Sequence, residues 1–249
     1  MSRSLALLVI IVLATSATFA ASAASAQMAA SDQAVIDAYR AAIGSAEAGA
    51  AGRVEAAFSA VESVRQVLMR AQGNQGNVLE SLSGDEFSRV AHLPGLVVNR
   101  EEVVFVNPDA DYFAKLAAAR GDAADRAFFL ALKATYPNSV WPVYVDQQTD
   151  YSGCTRFGSG TLVGAYRSWS DFQRRFPARY RGPARKEIDE VTTELAESTC
   201  ACGDLASVQN ELQRFLAAFP ASPISPKVTA RLQAARAGRA GIRPNCASG

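Results

Sequence analysis

A chain of 249 residues in which 49% are apolar can bury a full core without help from metals or cross-links. Its 25 basic and 24 acidic residues nearly cancel, leaving no net field to hold a polyanion, so no nucleic-acid partner is expected. One histidine, His92, and four cysteines are a thin stock of metal ligands, and no metal or cofactor is expected.

The N-terminus reads as an export signal. Arg3 gives a positive start, Leu5 to Phe19 is an apolar run shorter than the ~20 residues that span a bilayer, and Ala24-Ser25-Ala26 is a small-x-small cleavage site. Residues 1–26 form the signal peptide on this reading, the mature chain begins at Gln27, and no stable membrane insertion follows cleavage. An uncleaved anchor is the alternative. The alanine- and arginine-rich composition fits a bacterial chain, which makes the destination periplasmic or secreted and therefore oxidising.

Helical periodicity then organises the chain into three parts. The first, 27–72, holds an alanine-rich helix around Val35 to Ile43 and a second carrying Val54, Phe58, Val61 and Leu68 on one face, joined through Gly44, Gly49 and Gly52. Residues 73–122 are a connector that opens with the flexible run GNQGN. Leu96 to Val106 places two β-branched runs around a polar turn, which predicts a small β-hairpin or an extended connector ended by Pro108. Asp109 and Asp111 suit an N-cap and first-turn acid for a helix at Tyr112 to Ala119 better than a calcium loop, whose other ligands are missing.

The third part, 123–249, is a succession of amphipathic helices. Phe128, Leu132 and Tyr136 share a face, as do Leu162, Tyr166, Trp169, Phe172 and Phe176; then Ile188, Val191 and Leu195; then Leu205, Val208, Leu212, Phe215 and Phe219; then Val228, Leu232 and Ala235. An aromatic-proline ending recurs at Tyr136-Pro137, Phe176-Pro177 and Phe219-Pro220, roughly forty residues apart, and a second proline follows each at Pro142, Pro183 and Pro226. The pattern predicts a helix, a sharp stop and a returning helix, about three times over. Over Ala123 to Gly238 it resembles the helix pairs of tetratricopeptide-like periplasmic proteins, although the period is longer and the family's Trp-x2-Leu-Gly pattern is absent. The fold class is all-α, as antiparallel helix pairs in a short repeat array or an irregular bundle.

Cys200 and Cys202, one residue apart, admit a metal clip, a strained redox pair, or two ends of separate disulfides. An even number of cysteines in an oxidising compartment favours the last. If successive helices are antiparallel neighbours, the end of the helix near 198 returns beside Cys154. That geometry pairs Cys154 with Cys200 and Cys202 with Cys246; the crossed pairing, Cys154 with Cys202 and Cys200 with Cys246, is the alternative.

No sequence motif assembles a catalytic centre. Gly158-Ser159-Gly160 resembles a phosphate loop but lacks the preceding strand and the lysine, and reads as a flexible lead-in to a helix. His92 reads as structural. The better binding candidates are Asp150, Tyr151, Arg156 and Phe157, on a loop pinned by Cys154, and Arg174, Arg175 and Arg179, in a basic stretch that is otherwise a solvated helix face. The expected function is an exported, non-enzymatic helical protein that binds a protein or peptide partner in the bacterial envelope. Two alternatives stand beside it: an inhibitor or immunity protein against an exported enzyme, and a hydrolase with dispersed carboxylates.

Overall fold

The computed structural model describes residues 28–49, 52–138, 140–149, 152–239 and 241–246. Residues 1–26, read above as a signal peptide, and Gln27 lie outside these residues, as do Asp150 and Tyr151. Ten α-helices and two small antiparallel sheets make the described fold mostly helical.

Helices α1 (Ala30–Glu47) and α2 (Arg53–Leu68) bury Ile36, Tyr39 and Ile43 on one and Val54, Val61, Val64 and Leu68 on the other. They pack together, and Arg70 just beyond α2 donates to both carboxylate oxygens of buried Asp32, in the first turn of α1, at 3.1 and 2.7 Å. That ion pair shows the two helices to be antiparallel. Short helices α3 (Val78–Ser81) and α4 (Gly84–Ala91) each start in a reciprocal capping box, Asn77 with Glu80 and Ser83 with Glu86.

Of the two readings of 96–106, the hairpin forms. Strand β1 (Leu96–Asn99) pairs antiparallel with β2 (Phe105–Pro108), Leu96 opposite Pro108 and Asn99 opposite Phe105. Asp109 then caps α5 (Ala110–Arg120) with Asp111 in its first turn, and Asp122 caps α6 (Ala123–Thr135) in a box with Asp125.

The first of the three expected helix pairs departs from the pattern. After Tyr136 and Pro142 the chain forms a second hairpin, β3 (Val145–Thr149) and β4 (Ser152–Thr155), where a returning helix was expected. Cross-links explain the difference: Cys154 is bonded to Cys202, and Thr155 sits between the main chains of Cys200 and Cys202, donating to one and accepting from the other at 2.9 and 3.0 Å. These ties hold 152–155 extended.

The remaining helices, α7 (Thr161–Arg175), α8 (Arg181–Glu197), α9 (Leu205–Ala218) and α10 (Ser225–Arg236), pack as α7 on α8 and α9 on α10, with α7 against α9 and α8 against α10. Tyr136, Phe176 and Phe219 end α6, α7 and α9 alike. Their φ values are −120°, −135° and −136°, their ψ values 73°, 62° and 58°, and each donates its N–H to the carbonyl four residues back before a proline stops the helix.

Apolar side chains form two clusters. The larger gathers α1 to α6 with Trp169, Phe172, Tyr180 and Ala184, and contains a nest of rings in which Phe128 stacks on Tyr180 at 4.0 Å between centroids. The smaller lies among Tyr144, Phe157 and α7 to α10. Helices α7 and α8 serve both, and residues 140–144, over which the chain passes from the larger cluster at Tyr136 to the smaller at Tyr144, mark the seam between them.

The disulfides are Cys154–Cys202 and Cys200–Cys246, with Cα separations of 5.0 and 5.6 Å. The pairing favoured from helix geometry, Cys154 with Cys200 and Cys202 with Cys246, is overturned in favour of the crossed one. Antiparallel helices bring the correct chain ends together, but main-chain pairing decides which sulfur is used. Cys200 forms a parallel bridge with Arg243, in the tail just before Cys246, which commits it to the tail and leaves Cys202 for Cys154.

Candidate binding cleft

Of the seven binding candidates in the sequence, Asp150 and Tyr151 fall outside the described residues. Phe157 is 5% exposed and belongs to the smaller core cluster, with the Arg231 guanidinium 5.5 Å from its ring. Arg156, at the end of β4, is exposed and pairs with Asp146 on β3 at 2.7 Å. Arg174 pairs with Asp171 at 2.7 Å, and Arg175 lies 5.1 Å from the ring of Phe176. Helix α7, with 15 residues and a rise of about 1.5 Å each, separates Arg156 from these arginines by roughly 20 Å. They do not share a face with Arg156.

Arg179 is half-buried and spent on partners within the fold. Its guanidinium binds Glu55 on α2, Asp122 at 2.5 Å and Asp125 at 2.7 Å, while the Tyr180 hydroxyl donates to the same Asp125 oxygen at 2.7 Å. This cluster joins α2, α6 and the α7–α8 turn, and hydrogen bonds to Asp122 and Glu55 hold the guanidinium further above its already high pKa. Tyr180 sits at φ 48°, a left-handed conformation secured by its N–H bond to Glu55 and its stacked ring.

The Gly158-Ser159-Gly160 loop does cradle an anion, and the anion belongs to the protein. Glu211 on α9, 0% exposed, accepts from the N–H groups of Gly158 and Gly160 at 3.0 and 2.8 Å through Oε2 and of Val163 at 3.3 Å through Oε1. Its carboxylate thus satisfies donors at the start of α7, the position where a phosphate would sit. Asp146, Cys154 and Cys202 are the only grouping with metal-ligand spacing among the described residues, within 4.8 Å of one another. The two sulfurs are spent on each other in the disulfide.

A different region gathers unspent chemistry. Three depressions meet around the seam segment. The first, about 490 Å³, lies between α2, β2 and the start of α8, walled by Phe58, Val61 and Leu132 with Tyr136 and Glu187 also lining it. The second, about 480 Å³, opens between the β1–β2 turn and β3 and is lined by Val103, Phe105, Trp141 and Arg156. The third, about 660 Å³ and more open, lies between Trp141, Tyr144 and the Glu190–Glu194 face of α8. Val140 lines the first and second, Trp141 and Val145 the second and third, and Lys186 the first and third. Beside this cleft, β3 has no strand on its outer edge among the described residues.

Burial shapes the electrostatics of the cleft. Glu187 is 6% exposed, and its carboxyl is pushed up to about 7, first by burial and then by Glu190, against smaller opposing effects of Tyr136 and Lys186. Tyr136 donates to Glu190 Oε2 at 3.1 Å, and Lys186 reaches Glu190 Oε1 at 3.5 Å. Burial, then the charge of Glu187, also pushes the Tyr136 and Tyr144 hydroxyls far above the usual phenol range. Glu187 Oε2 and the Tyr144 hydroxyl are buried without a hydrogen-bond partner.

Glu187 is not among the residues expected from sequence, although the sequence carries a signal for it. Glu187, Val191 and Leu195 are spaced i, i+4, i+8, which puts an acid on the buried stripe of α8. Comparison of the chain with protein-family models, curated proteins and solved structures finds no match.

Proposed function

We propose that this chain is an exported binding protein of the bacterial envelope that captures an extended segment of a partner protein in the cleft around Val140–Val145. One observation carries the reading: the three depressions converge on that segment beside the outer edge of β3, which bears no strand among the described residues. An open strand edge supplies main-chain donors and acceptors for an added strand, and flanking pockets lined by Trp141, Phe105 and Phe58 supply side-chain selectivity. Two disulfides fit a non-reducing compartment, and no described helix is long and apolar enough to cross a membrane. Periplasmic or secreted residence is the finer part of the proposal. Inhibition of an exported enzyme would be a narrower use of the same cleft.

Selection of peptides from a random library against the oxidised chain tests the reading, with the Trp141→Ala, Val145→Arg double variant as counter-target. Peptides that lose binding to the variant while it keeps its melting temperature are the expected result. Peptides that bind both proteins equally would refute the cleft. A hydrolytic role is the second reading, favoured by the Glu187 carboxyl titrating near neutrality beside Glu190. Turnover of a peptide or glycan panel that disappears in Glu187→Gln would replace binding with catalysis.

A further inference from the structure

Five acids are buried among the described residues: Asp32, Glu86, Asp125, Glu187 and Glu211. Four are fully accounted for within the protein. Asp32 takes Arg70; Glu86 accepts from the N–H of Met28 and from Ser83; Asp125 takes Arg179 and Tyr180; Glu211 takes three backbone N–H groups. Glu187 alone among them keeps an oxygen with no partner, the buried Oε2, and the residue is part of the lining of the cavity walled by Phe58, Val61 and Leu132. An incompletely bonded buried carboxyl is a costly thing to maintain in a protein interior unless something else completes it.

We propose that Glu187 is the anchor for the cationic head of a lysine or arginine side chain carried by the bound partner segment. The proposal rests on the cleft reading for the rest of the ligand. Apolar walls take the methylene stem of such a side chain, and the carboxylate at the cavity wall takes its head, a combination that neutral or acidic side chains cannot use. Charged and titratable groups around Glu187 come from every neighbouring element. Helix α2 presents Glu62 and Arg65, bonded to each other at 2.8 Å; α8 presents Lys186 and Glu190, 3.5 Å apart; Tyr136 follows α6, and Tyr144 lies on the seam. The rim charges thus cancel in pairs, and the carboxyl left over is Glu187.

A cation binds the ionised form of Glu187, so its capture depends on pH. With half-ionisation near pH 7, the competent fraction rises about thirtyfold between pH 5.5 and 8, and apparent affinity rises with it. The probe is Nα-acetyl-arginine methylamide, with its neutral citrulline analogue as control, followed by ligand-observed NMR on the oxidised full chain. Expected are an affinity for the arginine probe that rises at least tenfold from pH 5.5 to 8, no such rise for citrulline, and loss of both preferences in Glu187→Gln. Glu62→Gln, at the rim, keeps the pH dependence. Equal binding of arginine and citrulline probes, or a pH profile unchanged by Glu187→Gln, overturns the proposal. Should selected peptides require Trp141 and Val145 yet show no enrichment in lysine or arginine, the anchor fails and the cleft stands. If no peptide requires the cleft but the arginine probe still binds through Glu187, the cleft reading fails and the anchor stands.

Discussion

Replacing Glu211 by glutamine tests whether an internal carboxylate holds the start of α7. The wild-type carboxylate accepts three N–H bonds while 0% exposed, and hydrogen bonds to a buried charged group are worth about 1.5–3 kcal/mol each when broken. Glutamine keeps one carbonyl oxygen for part of that set but turns an amide NH₂ towards N–H donors, so at least one donor is left unpaired. A loss of about 2–4 kcal/mol is expected, below the sum of three separate bonds because the loop can shift. For a domain of this size, 1 kcal/mol moves the melting temperature by about 2–4 °C, so a drop of roughly 5–15 °C should appear in a calorimetric or circular-dichroism melt. Native-state hydrogen exchange should quicken at the Gly158, Gly160 and Val163 amides before it quickens elsewhere. A melting temperature within about 1 °C of wild type, with those amides still protected, would refute the argument.

Other perturbations probe different ties. Arg179→Ala removes the cation from the carboxylate of Asp125, 1% exposed, leaving it only the Tyr180 hydroxyl and the Asp122 N–H, and should cost about 3–5 kcal/mol in urea unfolding, with Arg179→Lys recovering only part because an ammonium cannot fork to three acids. Glu187 contributes a pH dependence of its own. Its native carboxyl holds a proton up to about 7 while the unfolded one releases it near 4.5, so stability should fall as pH rises across that window, by on the order of 3 kcal/mol. Glu187→Gln should flatten that slope in pH-resolved denaturation and leave the variant more stable than wild type at pH 8; an unchanged slope would count against the assignment. Partial reduction with stepwise alkylation should recover Cys154 bonded to Cys202 and Cys200 bonded to Cys246, and finding Cys154 with Cys200 would contradict the described register.

Local periodicity made most helices legible. Stripes such as Leu162, Tyr166, Trp169 and Phe172 follow from one face meeting the core, and the three aromatic-proline endings form one recurring cap because residue type and proline together dictate it. Long-range contacts set what was missed. The strand Val145-Asp-Gln-Gln-Thr149 has little apolar alternation and exists because its partner strand is tied to Cys202 and the 200–202 main chain. The disulfide register depends on the bridge between Cys200 and Arg243, which no spacing along the chain encodes. Acids on apolar stripes were the readable clue to the interior. Asp125 and Glu211 proved to complete internal networks, and only the packed structure separates them from Glu187, whose Oε2 is left over.

Because each cysteine of the 200–202 pair reaches past the other, the loops closed by the two bonds overlap at Ala201. Any single backbone cut between Cys154 and Cys246 therefore leaves the molecule in one covalent piece: a cut before Cys200 is bridged by the first bond, one after Cys202 by the second, and one at Ala201 by both. Uncrossed bonds would let a cut at Ala201 release the tail. With both bonds formed, nicking of the C-terminal helices would be invisible on a non-reducing gel. Cleavage in the N-terminal half, which lacks cysteines altogether, would separate the fragments at once.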